Sequence, residues 1–218
     1  MLDGYGPQGW WPILGYKGIN PTKTGSLTGY HPDDYDFPRN DAERFEICIG
    51  AVLTQNTAWL NVEKALLNLK EEGYLCPRKL LEADDETIAE AIKPSGYFNV
   101  KTRKIKEFSR FYLTLEGRVP ARDELLSVWG IGPETADCMR LYAYNQPEMV
   151  VDAYTRRILE HLGMIEQGLK YEALKAYCVN YIEKSVQDYQ EFHALMVDHA
   201  KRHYSKKPYQ DPFSKSVN

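Results

Sequence analysis

The stretch Val128-Trp-Gly-Ile-Gly-Pro-Glu-Thr-Ala136 decides how the chain is read. Two glycines two residues apart permit a turn that residues with a Cβ avoid, and they let another backbone come close. Pro133 suits the first position of a helix, where its missing N–H is no loss. The amides of the turn and of the first helical residues then point outward without intrahelical partners. With the helix dipole they form a seat for one phosphate, indifferent to base sequence. Gly130, Ile131, Gly132, Glu134 and Thr135 are therefore candidate DNA-contacting positions, with Ile131 turned inward. A plain corner between two helices fits the same pattern. Asp152 follows sixteen residues after Ala136, ahead of a helical run.

On either side of this turn the apolar spacing is helical. Phe45, Cys48, Ile49 and Val52 recur at three- and four-residue steps after Asp41, a candidate cap. Leu60, Ala65, Leu66 and Leu69 repeat the pattern. Ile105, Phe108, Tyr112 and Leu115 do so again, with Lys101, Arg103, Lys104 and Lys106 near that helix's start. Further helices are predicted around Tyr154 to Leu162, Tyr171 to Ile182 and Phe192 to His199. No segment alternates as a strand would, so the fold class is all-α, with about ten helices. Residues 1–40 differ: they hold seven of the 15 Gly and five of the 12 Pro. They also carry Trp10, Trp11, Tyr5, Tyr16, Tyr30 and Tyr35, too many aromatics for a disordered tail. An irregular arm that docks on the body is expected. In it Trp10-Trp11-Pro12 either anchors the arm or lines a pocket.

The bulk numbers narrow the function classes. The formal net charge of −4 argues against a generally basic DNA coat but leaves room for a local basic face. No run of eighteen apolar residues occurs, and the start Met-Leu-Asp-Gly-Tyr has neither a basic stretch nor an apolar core. A location in the cytoplasm, associated with the nucleoid, is expected. Cys48, Cys76, Cys138 and Cys178 are scattered and read as reduced thiols. The five histidines have no metal-ligand spacing.

Val128 to Ala136 together with Val150-Val-Asp-Ala-Tyr-Thr-Arg-Arg-Ile-Leu159 resembles the helix-hairpin-helix DNA glycosylases of the endonuclease III superfamily. Two further pieces fit in order. Val52-Leu-Thr-Gln-Asn-Thr57 is similar to the loop whose Gln, here Gln55, fills the gap left by a flipped base. Gly96-Tyr-Phe-Asn-x-Lys101 is similar to the loop whose tip, here Tyr97, wedges into the duplex. The resemblance implies a six-helix bundle over residues 37–146 that carries the hairpin. A second α domain comes from residues 1–36 and 147–218, and the cleft lies between the two. It implies that Asp152 is catalytic and that the partner is double-stranded DNA with a damaged base, bound by a monomer.

Two departures from the family pattern matter. Bifunctional members carry a catalytic Lys two residues past the second hairpin Gly, where this chain has Glu134. No cysteine follows Cys178, so the C-terminal iron–sulfur loop of many members is absent, and no cofactor or metal is expected. The monofunctional 3-methyladenine glycosylases share both departures, and this chain is similar to them also in Trp10-Trp11-Pro12 and Phe45. That adds a base pocket of Trp10, Trp11 and Phe45. The expected activity is hydrolytic release of alkylated purines. The alternatives are a bifunctional glycosylase and lyase using another lysine, a mismatch-specific glycosylase, and a non-catalytic DNA-binding protein.

Overall fold

The structure, a computed structural model, describes residues 1–21, 26 and 28–213. The described residues among 1–40 run as irregular chain apart from one short helix, α1 (Leu2–Tyr5). They are fastened by side chains. Glu191 accepts from the Gln8 amide (2.9 Å) and the Tyr35 hydroxyl (3.0 Å), and Glu46 accepts from the Leu14 amide (2.6 Å). Trp11, Ile13, Tyr30 and Phe37 are buried. Burying an indole gives a gross gain of about 5 kcal/mol for some 200 Å² removed from water, enough to offset the ordering of a few residues.

The body begins at α2 (Asp41–Leu53). Asn40, one residue before the expected cap, holds it by accepting from the Glu43 amide at 3.0 Å. Phe45, Ile47, Cys48, Ile49, Val52 and Leu53 are all buried, which makes α2 the central rod. Around it stand α3 (Trp59–Glu71) and α6 (Phe98–Thr114). The short α4 (Pro77–Glu82) and α5 (Asp85–Ala91) lie against α6. α7 (Arg122–Ser127) and α8 (Pro133–Cys138) flank the Gly-Ile-Gly turn. A π-helical turn, Met139–Ala143, continues α8 and packs on α2. Then come α9 (Ala153–His161), α10 (Tyr171–Val179) and α11 (Val186–His203). α11 packs on α9 and α1, so the two ends of the described chain lie together. Among the described residues there is no strand, only an isolated bridge between Ile19 and Thr28.

A buried ion network joins α7, α8 and α10. Asp137, with a fully buried side chain, accepts from Arg122 Nε (2.6 Å), Lys175 Nζ (2.8 Å) and the Tyr171 hydroxyl (2.8 Å). Lys175 also reaches Glu148 (2.5 Å), which Arg140 Nε meets at 2.9 Å. A buried carboxylate needs this many donors to offset its lost hydration, and removing it strands the cations. Asp137→Ala is expected to cost about 3–5 kcal/mol and lower Tm by roughly 6–20 °C in a thermal melt.

Candidate active site

Gly130 adopts φ +87°, and a Cβ there would lie 2.5 Å from Lys104 Cγ. Only glycine allows both the left-handed backbone and the lysine stem beside it. The turn closes with the Ile131 amide on the Val128 carbonyl (3.1 Å), and Ile131 is buried beneath it. Gly132 faces open space. Among the described residues nothing accepts from the amides of Gly132, Glu134 and Thr135, so three donors point outward at the start of α8. Beside them Trp129 is 45% exposed, with the Arg103 guanidinium 4.0 Å from its ring centroid.

The Gln loop docks on this hairpin. Gln55 Nε2 donates to the Gly130 carbonyl (3.1 Å) and to Thr135 Oγ1 (3.0 Å), and its Oε1 accepts from Lys104 Nζ (2.5 Å). Tyr97 stands on the neighbouring loop in the left-handed region (φ +48°) and is 73% exposed. A bulky residue held there is strained unless its surroundings fix it. Lys101 does so. Its Nζ donates to the carbonyls of Leu53 (2.7 Å) and Ser95 (2.7 Å) and to Thr57 Oγ1 (2.8 Å). One ammonium, with one hydrogen for each acceptor, thus ties the Gln55 loop to the Tyr97 loop. Burial, with Lys104 adding to it, draws Lys101 down to about 8, still protonated at neutral pH.

Asp152 caps α9: its Oδ1 accepts from the Thr155 amide at 2.7 Å. It therefore does serve as a helix cap. It also lines a cleft of about 410 Å³ with Glu134, Arg156, Arg157, Tyr171 and Tyr209. A second hollow of about 520 Å³, lined by Gln55, Lys104, Gly130, Gly132 and Thr135, shares Glu134, Arg156 and Tyr171 with the first. The hairpin, the Gln55 loop and Asp152 thus share one continuous groove. Glu134 is exposed as a residue, yet desolvation of its carboxyl in the groove, with the Asp152 charge adding to it and Arg156 opposing, raises it to about 7.

The three aromatics expected to form one base pocket separate. Phe45 is 1% exposed and packs on Tyr112 inside the bundle, and it lines neither hollow of the groove. Its place on the apolar stripe of α2 puts it in the core, apart from Trp10. Trp11 is 3% exposed and lies on Gly50, where a Cβ would sit 3.2 Å from its Nε1. Its ring and that of Trp59 meet edge to face at 5.3 Å, and Tyr142 is 5.5 Å away. Trp11 therefore anchors the arm in this conformation. Trp10 is half-buried, 5.0 Å from Trp59, with Lys201 Nζ 6.0 Å from its ring centroid. Burial lowers Lys201, while Asp198 and Asp152 oppose the shift. The basic segment Lys201 to Lys207 thus starts with an inward-facing lysine.

These features match known proteins. Residues 49–184 fit the family described as the HhH-GPD superfamily of base excision DNA repair proteins. The chain belongs to that superfamily. It is a DNA glycosylase of base excision repair, and DNA is its partner. A Methanocaldococcus jannaschii protein provisionally named a DNA repair glycosylase is 35% identical over 95% of this chain and 86% of its own. Endonuclease III of Thermotoga maritima is 37% identical over 64% of this chain and 67% of its own. The H. pylori 3-methyladenine DNA glycosylase MagIII, in a crystal structure with 1,N6-ethenoadenine, superposes with a TM-score of 0.64. It is 31% identical and covers 72% of this chain and 85% of its own. An endonuclease III–DNA complex shares the fold at a TM-score of 0.70 and 24% identity, covering 77% and 78%. No described helix is long and apolar enough to cross a membrane.

Several groove residues of this glycosylase escape a reading of the sequence. Arg156 has a signal, since it lies four residues after Asp152 and so on the same helix face. Tyr171 and Tyr209 have none, because they reach the groove by tertiary packing. The Glu134 carboxyl supports one expectation. It binds its proton more tightly folded, at about 7, than unfolded, near 4.5. Its contribution to stability is therefore present in acid and lost as pH rises from about 4.5 to 7. Glu134→Gln is expected to melt higher than the wild type at pH ~8 and to lose that advantage below about pH 4.5, in melts run across this range.

Proposed function

We propose that this glycosylase is monofunctional and hydrolyses the N-glycosidic bond of alkylated purines such as 3-methyladenine. The observation that carries the reading is Asp152 in the groove opposite Glu134, a position without an amine. Cleavage develops positive charge on the sugar, as glycoside hydrolysis does. Ionised Asp152 stabilises that cation and orients or deprotonates the attacking water. The outward hairpin amides hold a phosphate beside the lesion, Tyr97 wedges the duplex, and Gln55 fills the vacated space. Extruding the base costs a few kcal/mol, least at a weakened pair. An alkylated base is a good leaving group, so one carboxylate suffices.

The substrate class draws support from the aromatic cluster and from MagIII, a relative bound to an ethenoadenine. Trp10 offers the half-buried indole face. Stacking a cationic purine there gives on the order of 0.5–2 kcal/mol and requires Lys201 to swing off the ring. Lys201 also favours one second reading, a lyase. An amine whose proton is loosened by burial, close enough to Asp152 to feel its charge, is a candidate Schiff-base nucleophile.

Asp152→Asn is the decisive variant, because Asn caps a helix as well as Asp while removing the charge. On DNA containing 3-methyladenine it is expected to keep DNA affinity and to lose base release by on the order of 10²–10⁴-fold. Unchanged release would sink the reading of Asp152. A panel of alkylated, oxidised and mismatched duplexes, scored for release before and after alkali, tests the substrate class. Borohydride with abasic DNA is expected to trap no covalent complex. Trapping that disappears in Lys201→Met would establish the lyase instead.

A further inference from the structure

Asp152 spends one oxygen on its helix. Oδ1 holds the Thr155 amide, while Oδ2 faces Nε2 of His193, buried on α11, at 3.8 Å. The other ring nitrogen, Nδ1, is 2.8 Å from the Tyr142 hydroxyl on the π-helical turn, and that hydroxyl is 3.2 Å from the Gln190 carbonyl. A hydroxyl has one hydrogen to give. Given to Nδ1, the closer acceptor, it leaves the imidazole hydrogen on Nε2, directed at Asp152. Given to Gln190, it forces the hydrogen onto Nδ1 and sets a nitrogen lone pair against a carboxylate. For a neutral ring, only the first arrangement turns an N–H toward Oδ2, at 3.8 Å an electrostatic contact longer than a hydrogen bond.

We infer that His193, locked by Tyr142, is the positioning residue for Asp152: its neutral Nε2–H steers Oδ2 toward the groove, and its protonation in acid silences the site by ion pairing. The inference rests on the catalytic reading of Asp152 above. A neutral N–H orients a carboxylate without cancelling its charge, which the sugar cation requires. An imidazolium at 3.8 Å would compete with that cation for the same carboxylate.

The groups facing His193 are Asp152 at the cap of α9, Tyr142 on the π-helical turn and Lys201 on its own helix. Glu191, its near neighbour on α11, is occupied by Gln8 and Tyr35 of the arm. Burial and Lys201 favour the neutral ring, Asp152 opposes them, and the net shift is downward. Tyr142 stays a donor, since burial pushes its hydroxyl well up. A second copy of the pattern holds the ends of the chain together. Asp211 faces His199 Nε2 at 3.2 Å, with the Tyr5 hydroxyl 2.8 Å from Nδ1. It lies outside the residues that line the groove.

Two measurements test the inference. Nitrogen-15 spectra of histidine-labelled wild type should show His193 as the Nε2–H tautomer near neutral pH. The Nδ1–H tautomer would overturn it, with no variant required. In single-turnover release of 3-methyladenine, corrected for spontaneous loss, the wild-type rate should fall on the acid side. His193→Gln keeps a side-chain N–H that does not titrate. It should hold most of the rate at pH ~7.5 and move the acid limb to lower pH. His193→Phe removes the donor and should lose about 10–100-fold at pH ~7.5 with DNA affinity unchanged. A His193→Gln profile that superimposes on the wild type, while Asp152→Asn is inactive, defeats the His193 role alone. An active Asp152→Asn defeats both it and the reading beneath it.

Discussion

The groove depends on one buried carboxylate that never faces it. Asp137 lies on α8, three residues after Glu134 and two after Thr135, and receives Arg122 from α7 and both Tyr171 and Lys175 from α10. α8 carries the outward amides of the hairpin, and α10 supplies Tyr171 to both hollows of the groove. One desolvated anion therefore sets where the hairpin stands relative to the wall opposite. Leu or Met in its place would fill the volume without specifying an angle. Three directional donors specify one.

Lys101 plays the same part for the loops. The Gln55 loop and the Tyr97 loop are separated by a whole set of helices in sequence, and each leaves a carbonyl, Leu53 or Ser95, for a side chain to meet. A single ammonium answers both carbonyls and the Thr57 hydroxyl and ties the two loops together. Tyr97 can then stand exposed in a left-handed conformation, because the strain is borne by a buried lysine next door. Polar groups that set direction recur around the groove, in buried Asp137 and Lys101 and in the half-buried Gln55 triad.

How much of this the sequence discloses follows the range of the interaction. Helical periodicity marks α2, α3 and α6, and two glycines around Ile131 mark the hairpin, because those signals are local. Phe45 shows two signals in conflict. Its spacing with Cys48, Ile49 and Val52 reads as core, and the resemblance reads as pocket. The spacing prevails, since a residue on the inner stripe of the central helix has no other neighbour to turn to. Trp11 follows the same rule through Gly50, whose missing Cβ makes the berth for the indole. Asp137 lies inside a helical run and looks like any exposed acid. Nothing within ten residues announces Arg122 or Lys175. Tyr142 and His193 are fifty-one residues apart, and no spacing links them.

Glutamate at position 134 changes more than the loss of an amine. A lysine there would set a cation against Asp152 and make the pair nearly neutral. Glu134 sets a second acid instead, and two carboxylates in one groove cannot both ionise without cost. The cost falls on Glu134, raised to about 7, while Asp152 accepts the Thr155 amide at the start of α9. Near neutral pH the groove therefore keeps a proton on Glu134, and its loss at higher pH adds a negative charge beside Asp152.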